Sequence, residues 1–452
     1  MADSDIKLDH IQDVFGQMTS LKTYAIISLG FETEMGSDIL VQKLCSASDQ
    51  LVRHFAYLCG HVAHRASSTS KISLATVVPY GPGQRASLVV PKDCKTLSAP
   101  LKTMLQQRVP MTALDGHVFA SHRPMPDSYN EKECLAPVFE IQANIVDGGV
   151  ILTFQGNHHI MDMNGMSSII LLYAQALRGE SFSASVVEYG NRDRRNIIQL
   201  LGPEDEKLDS SKLMKPRIYR DQPQGWIYFH VSNQSLSQLK SLTSTPDEDI
   251  LRDQRPPWVS TDDVLTALIY TRVTAARLKR VKPTPKVTFC RAINARRVMG
   301  INQEYFGHLV WCVNTEVALD SPLATTDFIG LARRLRFDLN SVRPAEIQSF
   351  ATALDALEDK GEMSCGASLN TNEGFDLVVS SWAGTRLSEA LFGGFGKPVF
   401  CKRPNFGPVE GLVYIQPKTL EGHLEVALCL NTEDIQALQV DETFMHYAEY
   451  IG

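Results

Sequence analysis

Long apolar runs are missing from this sequence. The uncharged stretch nearest to membrane length, Met163 to Leu177, is interrupted by Asn164, Ser167, Ser168 and Gln175, too short and too polar for the ~20 apolar residues that cross a bilayer. The first ten residues, MADSDIKLDH, are polar and acidic, unlike the basic and then apolar segments of a secretory signal. Basic excess is missing as well. A net charge of −7 argues against nucleic acid or an anionic membrane as the main partner. The nine cysteines (45, 59, 94, 134, 290, 312, 365, 401, 429) stand singly, with no CxxC pair, which points to reduced thiols in the cytoplasm rather than disulfides or a structural zinc site. No repeat of fixed period is visible, which sets aside solenoids and propellers. The last residues, HYAEYIG, carry no peroxisomal, retention or prenylation tag. What remains is a soluble enzyme or binding protein for a small, roughly neutral molecule.

At 452 residues the chain exceeds the size at which one hydrophobic core stops growing, so two domains are expected. Strand-length apolar segments (TYAIISLGF, VFEIQANIV, GVILTFQG, GWIYFHV, KVTFCRAIN, LVWCVNTEVAL, DLVVSSWA) alternate with amphipathic helical patterns such as STDDVLTALIYTRVTAARLK. Their spacing predicts mixed α/β structure, helices packed on sheets. Gly179 to Gln224 is rich in Asn, Asp, Arg, Glu, Lys and Pro and reads as a crossover between two halves. The division is then 1–180, a crossover at 181–224, and 225–452. Polar loops at Ser244–Pro257 and Asp359–Gly374 have the length of loops that cover binding sites.

One segment carries chemistry. In QGNHHIMDMNG, residues 155–165, two adjacent histidines precede an aspartate, between the hairpin pattern of Val138–Val146 and Gly149–Gly156 and a helix expected to start near Asn164. A strand-to-helix connection is where α/β proteins present reactive groups. Three readings of His158, His159 and Asp162 compete: a metal site, although no HExxH or third ligand at a telling spacing exists; buried histidines satisfied by hydrogen bonds; and a general base with its support.

The pattern His158-His159-Ile160-Met161-Asp162 resembles the HxxxD signature of the BAHD superfamily of CoA-dependent acyltransferases, in the fungal branch typified by trichothecene 3-O-acetyltransferase. Further stretches resemble the family in order along the chain: WVSTDDVLTALIY (258–270), CRAINARRVMG (290–300), LVVSSWAG (377–384), FGGFGKPVFCKRPNFGPVEGLVYIQPK (392–418) and YAEYIG (447–452). The resemblance implies a two-domain fold of the chloramphenicol-acetyltransferase type, each domain a mixed sheet flanked by helices, with the active-site channel between them. It implies an acyl group, most simply acetyl, moved from acyl-CoA to a hydroxyl of a secondary metabolite such as a terpenoid or polyketide. Acyl-CoA is then a co-substrate, with no permanently bound cofactor, and the enzyme a monomer. An amine acceptor, or a non-catalytic small-molecule-binding protein on the same fold, are the rival readings.

By the same resemblance His158 is the base, and only His158 has its aspartate at the HxxxD distance. Asp162 pairs with an arginine, which the family's D/N-x-R box puts at Arg296, with Arg297 beside it as the alternative. Ser381 and Trp382 are candidate oxyanion donors. Ser260, Thr261, Lys397, Lys402 and Arg403 are candidate CoA phosphate contacts. His159 has no required role. The chain departs from the family in the DFGWG box, where Ala390 and Leu391 replace the leading aspartate and Glu389 is displaced, and in a YFGN stretch that here reads Tyr305-Phe306-Gly307-His308.

Overall fold

The computed structural model describes residues 8–66, 73–81, 87–122, 136–205, 207, 224–243, 258–357 and 374–452. A five-stranded sheet occupies the N-terminal half, in the order Phe400–Lys402, Tyr24–Glu32, Gly149–Asn157, Phe139–Val146, Val89–Asp93. The expected hairpin is present: Val146 faces Gly149 across a two-residue turn in which Gly148 takes a φ of +82°, the left-handed conformation that hairpin turns ask of glycine. Both hairpin strands are almost wholly buried. The helices Ser37–His54 and Met163–Leu177 supply Leu40, Leu44, Leu51, Ile169, Ile170 and Tyr173 to the core they share with this sheet. Three shorter strands, Ser73–Pro79, Gly60–Ala66 and Ala136–Pro137, form a sheet of their own.

The C-terminal half holds a seven-stranded mixed sheet, in the order Val310–Ala318, Lys286–Asn294, Leu377–Ser381, Leu412–Ile415, Leu424–Asn431, Gln224–Val231, Glu449–Tyr450. Leu377–Ser381 runs parallel to both neighbours, and every other pairing is antiparallel. The helix Thr261–Arg277 lies against it and is buried on nearly every side, with Leu265, Leu268 and Ile269 in the second core.

The two halves exchange parts. Phe400–Lys402 pairs with Tyr24–Glu32 in the first sheet, where a Cβ on Gly30 would stand 2.2 Å from the Phe400 ring; only glycine lets that strand dock. Trp382, Leu387, Phe392, Phe395 and Cys401 join the N-terminal core. In the other direction, Phe15 and Met18 pack with Tyr305, Leu309, Trp311 and Phe350 in a third cluster. The strand that crosses over covers a sheet edge that would otherwise be open to pairing and joins the two halves. The crossover is also less empty than its composition implies. It carries the helix Ala184–Gly190, Ile198 packs into the third cluster, and Arg194 is 1% exposed. Residues 206 and 208–223, and the expected loops except Gly374, lie outside the described residues.

Candidate active site

The strand Gly149–Asn157 ends directly at the paired histidines. His158 N–H donates to Thr23 O (2.9 Å), and the next turn is closed by Ile160 N and Met161 N on Asn157 O (3.0 and 3.1 Å). The following helix begins at Met163 and its cap is Asp162, which accepts from Gly165 N at 2.8 Å. Asn164, expected near the start, lies inside the helix. A charged cap interacts more strongly with helix N–H groups than an amide does, and Asp162 is already fixed from outside.

That fixation comes from the other half of the molecule. Arg296 Nη1 donates to Asp162 Oδ2 (2.8 Å) and Nη2 to Oδ1 (3.0 Å), while Leu309 N donates to Oδ2 (2.8 Å). Both side chains are fully buried. The remaining guanidinium hydrogens go to Tyr305 O, Gly307 O and Asn294 Oδ1, so the arginine is satisfied as well as paired. Burial alone would raise the Asp162 pKa; the charge and hydrogen bonds of Arg296 overcome it and hold the carboxyl below the ordinary aspartate value. Arg297 is exposed and takes no part. With two donors on each oxygen, Asp162 has no lone pair turned to an imidazole and acts on His158 only through space.

His158 is half-buried. Its Nδ1 is buried with no partner at hydrogen-bond geometry. Burial lowers its pKa from the ordinary value, against the pull of Asp162 and of backbone groups at His158 and Met161. The imidazole is thus biased toward its neutral form. His159 is placed quite differently. It is 2% exposed, Nδ1 donates to Gly16 O (2.6 Å), and Nε2 faces His64 Nε2 at 3.4 Å. With Nδ1 the donor, Nε2 must accept from His64, and burial takes the His159 pKa down to about 3. It is a neutral fastener, closed so tightly that a Cβ on Gly16 would stand 2.1 Å from His159 O.

Two further groups, not foreseen in sequence, complete the centre. Asp13 accepts from Gly16 N (2.7 Å), Tyr305 Oη (3.0 Å) and His308 N (2.9 Å), and burial, opposed by Arg194, raises its pKa to about 6. Arg194 in turn donates to Ile160 O at 2.9 Å. Both are polar residues far from the motif in sequence, and no local pattern marks them. Among the described residues no group of three or more His, Cys, Asp or Glu could hold a metal ion.

The other named candidates divide. Ser381 Oγ donates to Asp262 Oδ1 at 2.6 Å, on the side of its strand that meets the helix Thr261–Arg277; its one hydroxyl hydrogen is committed and cannot serve an oxyanion. Strand alternation puts Ser380 and Trp382 on the opposite face. There Trp382, 6% exposed, packs at a tilt against Tyr414 and joins the N-terminal core, and its Nε1 donates to Ser380 Oγ at 3.1 Å. Ser260 caps the helix Thr261–Arg277 in a reciprocal box with Asp263 and accepts from Arg336 (2.9 Å). Thr261 is the first residue of that helix and half-buried. Lys402 is 2% exposed, with Nζ on Arg108 O, Val109 O and Glu425 Oε2. Arg403 is 3% exposed and lies over the rings of Trp226, Tyr414 and Phe406. Neither can meet a CoA phosphate, because strand Phe400–Lys402 is drawn into the first sheet and takes these cations inside. Lys397 alone of the three cations is exposed.

The profile of the "Transferase family" matches residues 118–445, and that of the "Trichothecene 3-O-acetyltransferase-like N-terminal domain" matches residues 23–177. The O-acyltransferase pigD of Monascus ruber is 34% identical over 98% of both chains. Trichothecene 3-O-acetyltransferase of Fusarium sporotrichioides is 32% identical over 99% of this chain and 97% of its own. The crystal structure of the F. sporotrichioides enzyme complexed with coenzyme A and T-2 superimposes with a TM-score of 0.87 at 30% identity, covering 98% of this chain and 99% of that one. Vinorine synthase, at 14% identity and a TM-score of 0.66, shares the two-domain fold. The chain therefore belongs to the transferase family of BAHD acyl-CoA-dependent acyltransferases, with an N-terminal domain of the trichothecene 3-O-acetyltransferase-like kind.

Proposed function

We propose that this enzyme moves an acyl group, most simply acetyl, from acyl-CoA to a hydroxyl of a secondary metabolite such as a terpenoid or polyketide, within a ternary complex in the cytoplasm. The observation that carries the reading is the state of His158: a half-buried imidazole at a strand end, its pKa lowered by burial and its Nδ1 turned inside, on a loop whose support Asp162 is wholly occupied elsewhere. The names of the relatives, O-acyltransferase and O-acetyltransferase, support oxygen as the acceptor atom.

An alcohol attacks a thioester poorly while it keeps its proton. In the proposed step the proton passes to His158 Nε2 as the alcohol oxygen bonds to the thioester carbonyl carbon. The oxyanion so formed needs a donor, and Ser380, whose oxygen accepts from Trp382 Nε1 while its own hydrogen stays available, suits this better than Ser381. Collapse breaks the C–S bond, and the imidazolium returns its proton to the leaving CoA sulfur. No acyl-enzyme is required. For CoA contacts, exposed Lys397 and half-buried Thr261 remain as candidates; the occupied Ser260 hydroxyl is a poor one.

The test is thiol release from acetyl-CoA against a panel of hydroxylated and amino acceptors, with product mass measured. Acetylated alcohols that depend on His158 support the reading. Acetylated amines alone would move the acceptor to nitrogen, and CoA binding without turnover on any acceptor would reduce the protein to a binding module.

A further inference from the structure

His308 stands where plant relatives of the resembling family carry asparagine, and the chemistry outlined above makes no use of it. Its place is set by its backbone. The His308 N–H donates to Asp13 Oδ2 (2.9 Å), Gly307 O accepts from Arg296 Nη2 (2.8 Å), and Leu309 N donates to Asp162 (2.8 Å). The approach is close: a Cβ on Gly307 would stand 2.2 Å from Tyr305 Oη and 2.6 Å from Asp13 Oδ2. The segment 305–309 is therefore tied to both carboxylates that flank the histidine loop, and the side chain of His308 is delivered to one spot.

That spot is against the base. The His308 ring is 3% exposed, and its centroid is 5.0 Å from that of His158 with the planes inclined by 55°. Its Nδ1 is buried without a hydrogen bond, and the one polar tie of the ring that bears on its charge is to the backbone of His158. The charged and titratable groups that face it are His158, Asp162 and Arg296. Burial, then His158, lower its pKa to about 3, with Asp162 opposing, so it stays neutral even when its neighbour carries the proton.

We propose that His308 is a positioning residue for the base: its uncharged ring packs against His158, holds that imidazole in one orientation with Nδ1 turned into the protein, and keeps water from its inner side. The proposal rests on His158 being the base. It assigns the main effect to the bulk of the ring, since Nδ1 makes no bond that a replacement would lose; the tie to the His158 backbone is the part that only a nitrogen can supply. Burial is the leading cause of the lowered His158 pKa. Opening the wall should let that pKa climb back toward the ordinary histidine value of about 6.5.

Three variants separate the terms. His308→Ala opens the wall; His308→Asn opens it partly with the residue of the plant pattern, and serves if the alanine variant does not fold; His308→Leu refills the volume with no nitrogen. Each is measured by ¹⁵N-histidine NMR titration of His158, assigned with His158→Ala, and by pH profiles of kcat/KM. For the alanine or asparagine variant we expect the His158 titration and the acid limb to move together to higher pH. A several-fold fall in kcat should accompany this, with KM for acyl-CoA within about twofold of wild type. The leucine variant should recover the low titration point and most of kcat. An unmoved His158 titration in the opened variants overturns the proposal, as does a folded leucine variant that behaves like alanine. Should His158→Ala retain turnover, the base assignment falls, while the NMR titrations still decide whether His308 controls the His158 ring.

Discussion

The ion pair between Asp162 and Arg296 offers the sharpest test of how the two halves hold the histidine loop. Both side chains are fully buried and joined by two hydrogen bonds of 2.8 and 3.0 Å. Changing Asp162 to Asn leaves a buried guanidinium without its counter-charge. Changing Arg296 to Met leaves a buried carboxylate, together with Tyr305 O and Gly307 O, without their donors. Each single change should destabilise by about 3–5 kcal/mol, the usual penalty for stranding one charge of a buried pair. In the double variant no unpaired charge remains, so the loss should fall short of the sum by on the order of 2 kcal/mol. Because residues of both halves meet in common hydrophobic clusters, one cooperative transition in guanidinium, followed by both fluorescence and circular dichroism, should report it. Arg297→Ala, at an exposed site, should stay within about 0.5 kcal/mol of wild type. Strict additivity of the two core substitutions, or an Arg297 effect as large as that of Arg296, would refute the reasoning.

His158→Ala should lower turnover by ~10²–10⁴-fold or more while acyl-CoA affinity and the melting point stay near wild type; activity in that variant with loss in His159→Ala would show the wrong histidine was chosen. Acid should unfold the protein early: His159 and His308 have pKa values taken down to about 3, so their stabilisation is complete above about pH 6.5 and drains as pH falls toward 3. Asp13 has the opposite sign, since a carboxyl raised from 3.8 to about 6 favours the folded state below pH 3.8 and loses that contribution as pH rises to 6; Asp13→Asn should remove this part of the curve in denaturation series at fixed pH. Initial rates against acyl-CoA at several fixed acceptor levels should give intersecting lines, whereas parallel lines or an acylated protein trapped without acceptor would require a nucleophile the proposed step does not contain.

What could be read from sequence and what could not divide along a physical line. Hydrophobic period and turn chemistry are local, so the hairpin around Gly148, the long helices and the mixed α/β class were legible, as was the strand end that presents His158. The Asp162–Arg296 contact spans 134 positions and came from a family pattern, because no local rule couples residues so far apart. Lys402 and Arg403 were misread for the same reason. Two adjacent cations beside a Gly-Pro turn look like surface, and nothing nearby says that their strand will cross into the other sheet. That Ser381 faces Asp262 is not legible either, because strand phase relative to the other half is a tertiary fact, and a one-residue change of phase moves a side chain to the opposite face.

The same division explains why the centre is built from three distant segments instead of one motif. In the proposed step the HxxxD loop offers Nε2 to the substrate and hides Nδ1, and a short loop cannot bury its own imidazole. One wall comes from 305–309, tied by Asp162 and Asp13; another from Gly16, which receives His159 Nδ1; the underside from Arg194 on Ile160 O. Asp13 links the first two, since it accepts both His308 N and Gly16 N. A displacement at any of these points is therefore felt at the ring of His158 without a change in any residue that touches substrate. Fixing a base to within about half an ångström takes rigid elements and a supporting shell. Here the shell around His158 is recruited across the boundary between the two halves, so under the proposed mechanism their packing against each other would bear directly on turnover.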